Sequence, residues 1–178
     1  MLPNIFPMIY RFRIILDTHD DVIRDIEIEE TSSLEDFHNA LTQAFGFDGQ
    51  EMASFYTSNE EWEQIDEIAL FDMSVEDKPV QVMSETLVNE VVSIKRTKLI
   101  YIYDFLNMWT FLVELADVAE FETGMIYPNL MFAQGEIPDE APDKEFLVEE
   151  DDEDDMFDEE FDLDAEDYEN LDFDENWN

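Results

Sequence analysis

Between Met8 and Asp17, apolar and polar positions alternate: Tyr10, Phe12, Ile14 and Leu16 share one side, Arg11 and Arg13 the other. A period of two predicts a half-buried strand. Thr18-His19-Asp20-Asp21 is a polar turn. Val22 to Glu30 repeats the alternation, with Ile26 and Ile28 opposed to Asp25, Glu27 and Glu29. So short a connection predicts an antiparallel hairpin.

The period then changes. Leu34, Phe37, Leu41, Ala44 and Phe45 recur at helical spacing, giving a helix over Ser33–Phe45 with one apolar stripe. Two capping-box registers are open at its start, Ser32 with Glu35 and Ser33 with Asp36. Gly46 stands where a left-handed C-terminal cap is wanted. Met52 to Thr57 reads as a short strand and Asn59 to Pro79 as an acidic, irregular connection. Thr86 to Val92 reads as a short second helix capped by Ser84. Leu99 to Phe105 and Trp109 to Leu115 are almost continuously apolar and aromatic, which predicts two central strands covered on both faces and paired as a hairpin. The order predicts an α+β fold: a β-grasp-like mixed sheet with one main helix packed on it.

Composition adds an appendage to this picture. Residues 136–178 hold 23 Asp or Glu against the single base Lys144, so more than half of the net charge of -41 lies there. The expected organisation is an α+β domain over 1–134, a linker over 135–150, and an acidic, aromatic-containing tail over 151–178, either disordered or a short helix. A hydrophobic content of 45% with 15 Phe allows a real core. Salt adaptation is disfavoured, because solvating a whole surface would spread the acid more evenly. Without cysteine there is no disulfide, thiolate zinc site or cysteine nucleophile. The N-terminus lacks a basic n-region and a cleavage site, and no apolar run approaches the roughly 20 residues that span a bilayer. A cytoplasmic protein without a membrane partner is expected.

Four stretches resemble the plasmid pRiA4b ORF-3-like family over about residues 8–143. They are Tyr10-Arg11-Phe12-Arg13-Ile14; Ala44-Phe45-Gly46-Phe47-Asp48; Tyr101-Ile102-Tyr103-Asp104-Phe105 running to Trp109; and Tyr127-Pro128-Asn129-Leu130 followed by Gly135-Glu136-Ile137-Pro138. Leu106-Asn107-Met108 replaces the Gly-Asp-Gly turn usual in the family's hairpin. The resemblance implies a fold, and an association with plasmids and mobile elements, but no reaction.

Candidate chemistry is sparse. His19, beside Asp20 and Asp21, reads as part of a solvated turn, and His38 as a satisfied histidine at the edge of the helix stripe. The run Glu149–Asp155 lacks the glycine of an ordered calcium loop, so only weak, non-specific divalent binding is expected there. Lys95-Arg96-Thr97-Lys98 collects three of the eight bases, either as a wet turn or as a receiver for the acidic tail. Within the tail, Phe157, Phe161, Tyr168, Phe173 and Trp177 interleave with the acids. Phe157, Phe161, Ala165, Tyr168 and Leu171 would form one helical stripe. These aromatics are the candidate partner-binding residues.

The leading expectation is a non-enzymatic acidic module that binds a basic protein surface, with nucleic-acid mimicry as its sharper form. The charge makes nucleic acid a poor direct target, and no direct nucleic-acid binding is expected. The alternative is a small-ligand-binding protein or enzyme with a pocket near the 101–109 hairpin, built by Tyr101, Tyr103, Asp104 and Trp109. No cofactor or metal, and no catalytic residue, is expected.

Overall fold

The computed structural model describes residues 5–73 and 80–142. The chain divides into Met1–Ala141 and Pro142–Asn178. The tail aromatics Phe157, Phe161, Tyr168, Phe173 and Trp177 lie outside the described residues, as does the second half of the linker, 143–150.

Eight strands form one mixed sheet. In chain order they are β1 (Ile9–Leu16), β2 (Ile23–Glu29), β3 (Ala53–Ser58), β4 (Gln64–Ala69), β5 (Gln81–Val82), β6 (Lys98–Tyr103), β7 (Trp109–Ala119) and β8 (Asn129–Gln134). Helix α1 (Leu34–Phe45) follows the β1–β2 hairpin, and a single turn, α2 (Val88–Val91), precedes β6. The sheet order is β5-β4-β3-β6-β7-β1-β2-β8. Among the described residues, only β4 and β5 run parallel. The class is α+β, dominated by the sheet.

Register assigns the two faces. Phe12 pairs with Ile26 on one side and Leu115 on the other, Leu16 with Phe111, and Phe111 with Tyr101, which in turn pairs with Phe55. These side chains share the face on which α1 lies. Its buried stripe is Leu34, Phe37, His38, Leu41, Thr42 and Phe45. A chain of rings knits helix to sheet: Phe12–Phe37 at 4.6 Å between centroids, Phe37–Phe55 at 5.4 Å, Phe55–Tyr101 at 4.7 Å and Phe45–Phe111 at 4.7 Å. Full burial of each such side chain is worth roughly 1.5–3 kcal/mol, and ring pairing adds about 1 kcal/mol. The core therefore lies between α1 and the central strands.

The opposite face carries charge in a lateral row. Lys98 pairs with Glu114, Glu114 with Arg13, and Arg13 with Asp25, across four strands. Arg13 binds Asp25 through both Nε and Nη2 at 2.8 Å. Lys98 Nζ reaches Glu114 at 2.9 Å and Glu60 at 3.2 Å. Alternation of sign makes each neighbour in the row attractive.

Four expectations are corrected. The segment 59–79 is not wholly irregular: β4 lies within it, pairing with β3 although only Ile68 of its six residues is buried. The second helix is one turn, and Ser84 sits inside a 3-10 turn, Met83–Glu85, ahead of it rather than capping it. The central hairpin's second strand runs on to Ala119. Finally, β8 adds an edge strand after the last segment read as regular structure.

Candidate binding cleft

Helix α1 crosses the sheet and leaves its polar shoulder facing the start of β8. Ser33 accepts a hydrogen bond from Asp36 N at 3.0 Å, and the Asp36 carboxylate accepts from Ser33 N at 3.4 Å. That closes the second of the two capping registers. From there Asp36, Asn39, Ala40, Gln43 and Ala44 follow at helical spacing, beside the buried stripe. Opposite them stand Tyr127, Pro128, Asn129 and Leu130, with Ile26, Glu29 and Ser32 completing the wall. The cleft between has a volume of about 630 Å³, within the range of ligand-sized sites.

The far end of the helix is tied down by Arg24. Its guanidinium donates to the carbonyls of Ala44 (2.9 Å), Ile23 (2.8 Å) and Gln134 (3.0 Å) and lies over the Phe45 ring. One side chain thus joins α1, β2 and β8. Burial lowers its pKa from the ordinary value, against the pull of Glu136, but an arginine there stays protonated.

The cleft's chemistry is one-sided. Glu29 and Asp36 bring carboxylates, Asn39, Gln43 and Asn129 bring amides, and Tyr127 and Leu130 bring apolar surface. Among the described residues, no lysine or arginine lines it. Such a lining suits a cationic partner that can also donate hydrogen bonds.

A second concavity, of about 250 Å³, lies between Thr57–Glu60 and the basic run, with Lys95, Arg96 and Lys98 in its wall. The Lys98 ammonium is held by Glu60 and Glu114 and sits 5.2 Å from the Trp62 ring centroid. Its charge is thus answered beside the strand that carries it.

The pocket expected near the hairpin is differently arranged. Tyr101 is fully buried, and its hydroxyl lies 2.6 Å from His38 Nδ1. His38 is likewise inside the core, at 2% exposure, rather than at its edge. Burial pushes the imidazole down to about 4 and, with the nearby Tyr103, raises the Tyr101 hydroxyl well above its ordinary value. Both groups are held neutral as a satisfied buried pair. Tyr103 and Trp109 pack on Phe47 at 4.6 and 5.3 Å, and the Tyr103 hydroxyl donates to Asp48 at 3.1 Å. Asp104, at φ 67°, accepts from Leu106 N and from Asn107 Nδ2. It shapes its own turn. The four residues are engaged in packing and turn formation, not gathered around either concavity.

Sequence reasoning missed the cleft. Tyr127–Leu130 enter the sequence reading only through the family resemblance and Asp36 only as a capping residue, while Asn39 and Gln43 lie off the apolar stripe and give no signal. Among the described residues, no group of three or more His, Asp or Glu is placed to hold a metal ion, and no helix is long and apolar enough to cross a membrane.

Comparison with known proteins agrees with this architecture. A crystal structure of a protein of unknown function, MM3350 from Methanosarcina mazei Go1, matches with a TM-score of 0.62 at 19% identity, covering 72% of this chain and 70% of that one. At such identity the likeness concerns the fold. No curated protein matches. The model of the plasmid pRiA4b ORF-3-like protein family matches residues 8–176, beyond the span carried by the four sequence stretches. The chain belongs to the plasmid pRiA4b ORF-3-like family.

Proposed function

We propose that the chain is a non-enzymatic acidic interaction module that binds a basic protein partner. One observation carries the reading: four of the six bases among the described residues are held by the domain's own acceptors. Arg11 is held by Glu27 and Asp117, Arg13 by Asp25, Lys98 by Glu60 and Glu114, and Arg24 by three carbonyls. Against 49 acids and 8 bases in all, carboxylates dominate the charge offered outward, with Lys95 and Arg96 the exposed exceptions among the described residues. A field of that sign attracts and orients basic surfaces and repels nucleic acid.

In its sharper form, carboxylates stand in for phosphates and occupy a nucleic-acid-binding partner. The tail aromatics Phe157, Phe161, Tyr168, Phe173 and Trp177 are the proposed anchors, and a cytoplasmic setting goes with the reading. In architecture we read the opening hairpin, crossing helix and remaining strands as β-grasp-like. The small-ligand or enzymatic alternative has less support, because Tyr101, Tyr103 and Trp109 are used in packing. The test is capture from nuclease-treated lysate on immobilised full-length chain. A retained set dominated by basic proteins and released by moderate salt is expected. A set with no bias in charge would refute the module.

A further inference from the structure

The two edges of the sheet are unlike. One is β5, only two residues long. The other is β8, six residues reading Asn-Leu-Met-Phe-Ala-Gln, without a charge or a proline. Natural edge strands are ordinarily blunted by charge, proline or shortness, since unpaired backbone groups invite another strand. In a chain with 49 Asp and Glu, an uncharged edge strand is a notable gap. Its apolar side chains are also open: Leu130 and Met131 are 47% exposed and Phe132 41%. Leu130 pairs with Ile26, on the helix side, and Phe132 with Asp25, on the opposite side; the register shift between them leaves Met131 unpaired on β2.

We infer that β8 is a docking edge that accepts an extended segment of the partner as a ninth strand, one in which lysine or arginine alternates with apolar residues. This rests on the basic-partner reading above and specifies how the partner engages. Main-chain hydrogen bonds would give affinity, and alternate side chains would give specificity. On the helix side, the added strand's side chains lie over Leu130 and the cleft, whose wall carries the Glu29 and Asp36 carboxylates and, among the described residues, no cation. On the other side they meet Phe132 and the Asp25 row. Charge decides against a second copy of the chain. Pairing β8 with its twin would bring together two molecules of net charge -41, whereas a basic strand is drawn in.

The probe is a fluorescent peptide of about eight residues, the usual strand length, alternating lysine and valine, titrated with full-length chain by anisotropy. Two further peptides carry N-methyl groups on all valines or on all lysines, with charge unchanged. Only alternate amides of an added strand face β8, so one methylated peptide should bind about tenfold more weakly while the other is affected less. Leu130→Lys, at an exposed site, should weaken the unmodified peptide by a similar factor at unchanged Tm. If all three lysine peptides bind alike, strand addition fails and the basic-partner reading stands. If none binds at low salt, or a glutamate–valine peptide binds as well, both fail. Sedimentation showing a dimer that Leu130→Lys abolishes would make a second copy the occupant and overturn the proposal.

Discussion

The buried pair His38 and Tyr101 joins residues 63 positions apart, and that separation is why the sequence could not place it. His38 lies on the helix stripe, but whether it sits at the edge or inside depends on a partner the local pattern does not contain. Tyr101 supplies it, and the core closes over both. The pair has a signature in pH. The imidazole's folded value, about 4, lies below its ordinary 6.5, so between these values the unfolded chain binds the proton and the folded chain does not. This contribution is present in full above 6.5 and is lost as pH falls toward 4, by on the order of 3 kcal/mol at most. Denaturant unfolding at pH 7 and pH 4.5 checks this. Wild type should lose stability relative to His38→Gln on acidification, and an unchanged difference would show His38 titrating normally. Gly135 makes a second point at this scale. Its φ is 78°, and a Cβ there would overlap the Asp21 carbonyl oxygen in the β1–β2 turn. Gly135→Ala should therefore cost about 1–3 kcal/mol in urea unfolding. A neutral substitution would mean that the turn yields.

The elements were legible where the pattern was strong. The opening hairpin and α1 carry clean periods, the central hairpin is marked by two nearly continuous apolar runs, and Gly46 adopts the left-handed cap at φ 88°. Of the two capping registers the structure uses Ser33 with Asp36, a choice sequence spacing leaves open because both registers satisfy it. Ser33→Ala should destabilise the fold by about 1 kcal/mol, and Ser32→Ala by much less. The reverse order in thermal unfolding would contradict the cap. Elements with little buried surface were not legible. In β4 the backbone ladder with β3 does the holding while Gln64–Glu67 face water. In β8 every residue but the first is exposed, so no alternation marks it. The cleft lies between β8 and the polar shoulder of α1, so it was hidden for the same reason.

At the scale of the molecule, charge and fold are nearly separate. The core is ordinary, with rings and aliphatics between one helix and a sheet, while the acid sits outside it and gathers toward the C-terminal end. Composition revealed the charge at once; what it could not reveal is that most of the described bases are tied to their own domain's acceptors. Self-repulsion of this size should make stability sensitive to screening. Raising salt from about 10 to 150 mM shortens the Debye length from ~30 to ~8 Å and should raise Tm. A flat melting temperature would mean that the carboxylates are already solvated apart or paired. The exposed bridge Arg13–Asp25 contributes at most about 1 kcal/mol, and it organises the sheet's outer face more than it stabilises it. The account stands or falls on what the remaining acid does. The most direct measurement is titration of a purified, captured basic partner with the full-length chain across ionic strength, with and without duplex DNA as competitor. The account predicts an affinity that falls steeply with salt; for a nucleic-acid-binding partner, DNA and this chain should exclude each other. An affinity indifferent to salt would contradict it.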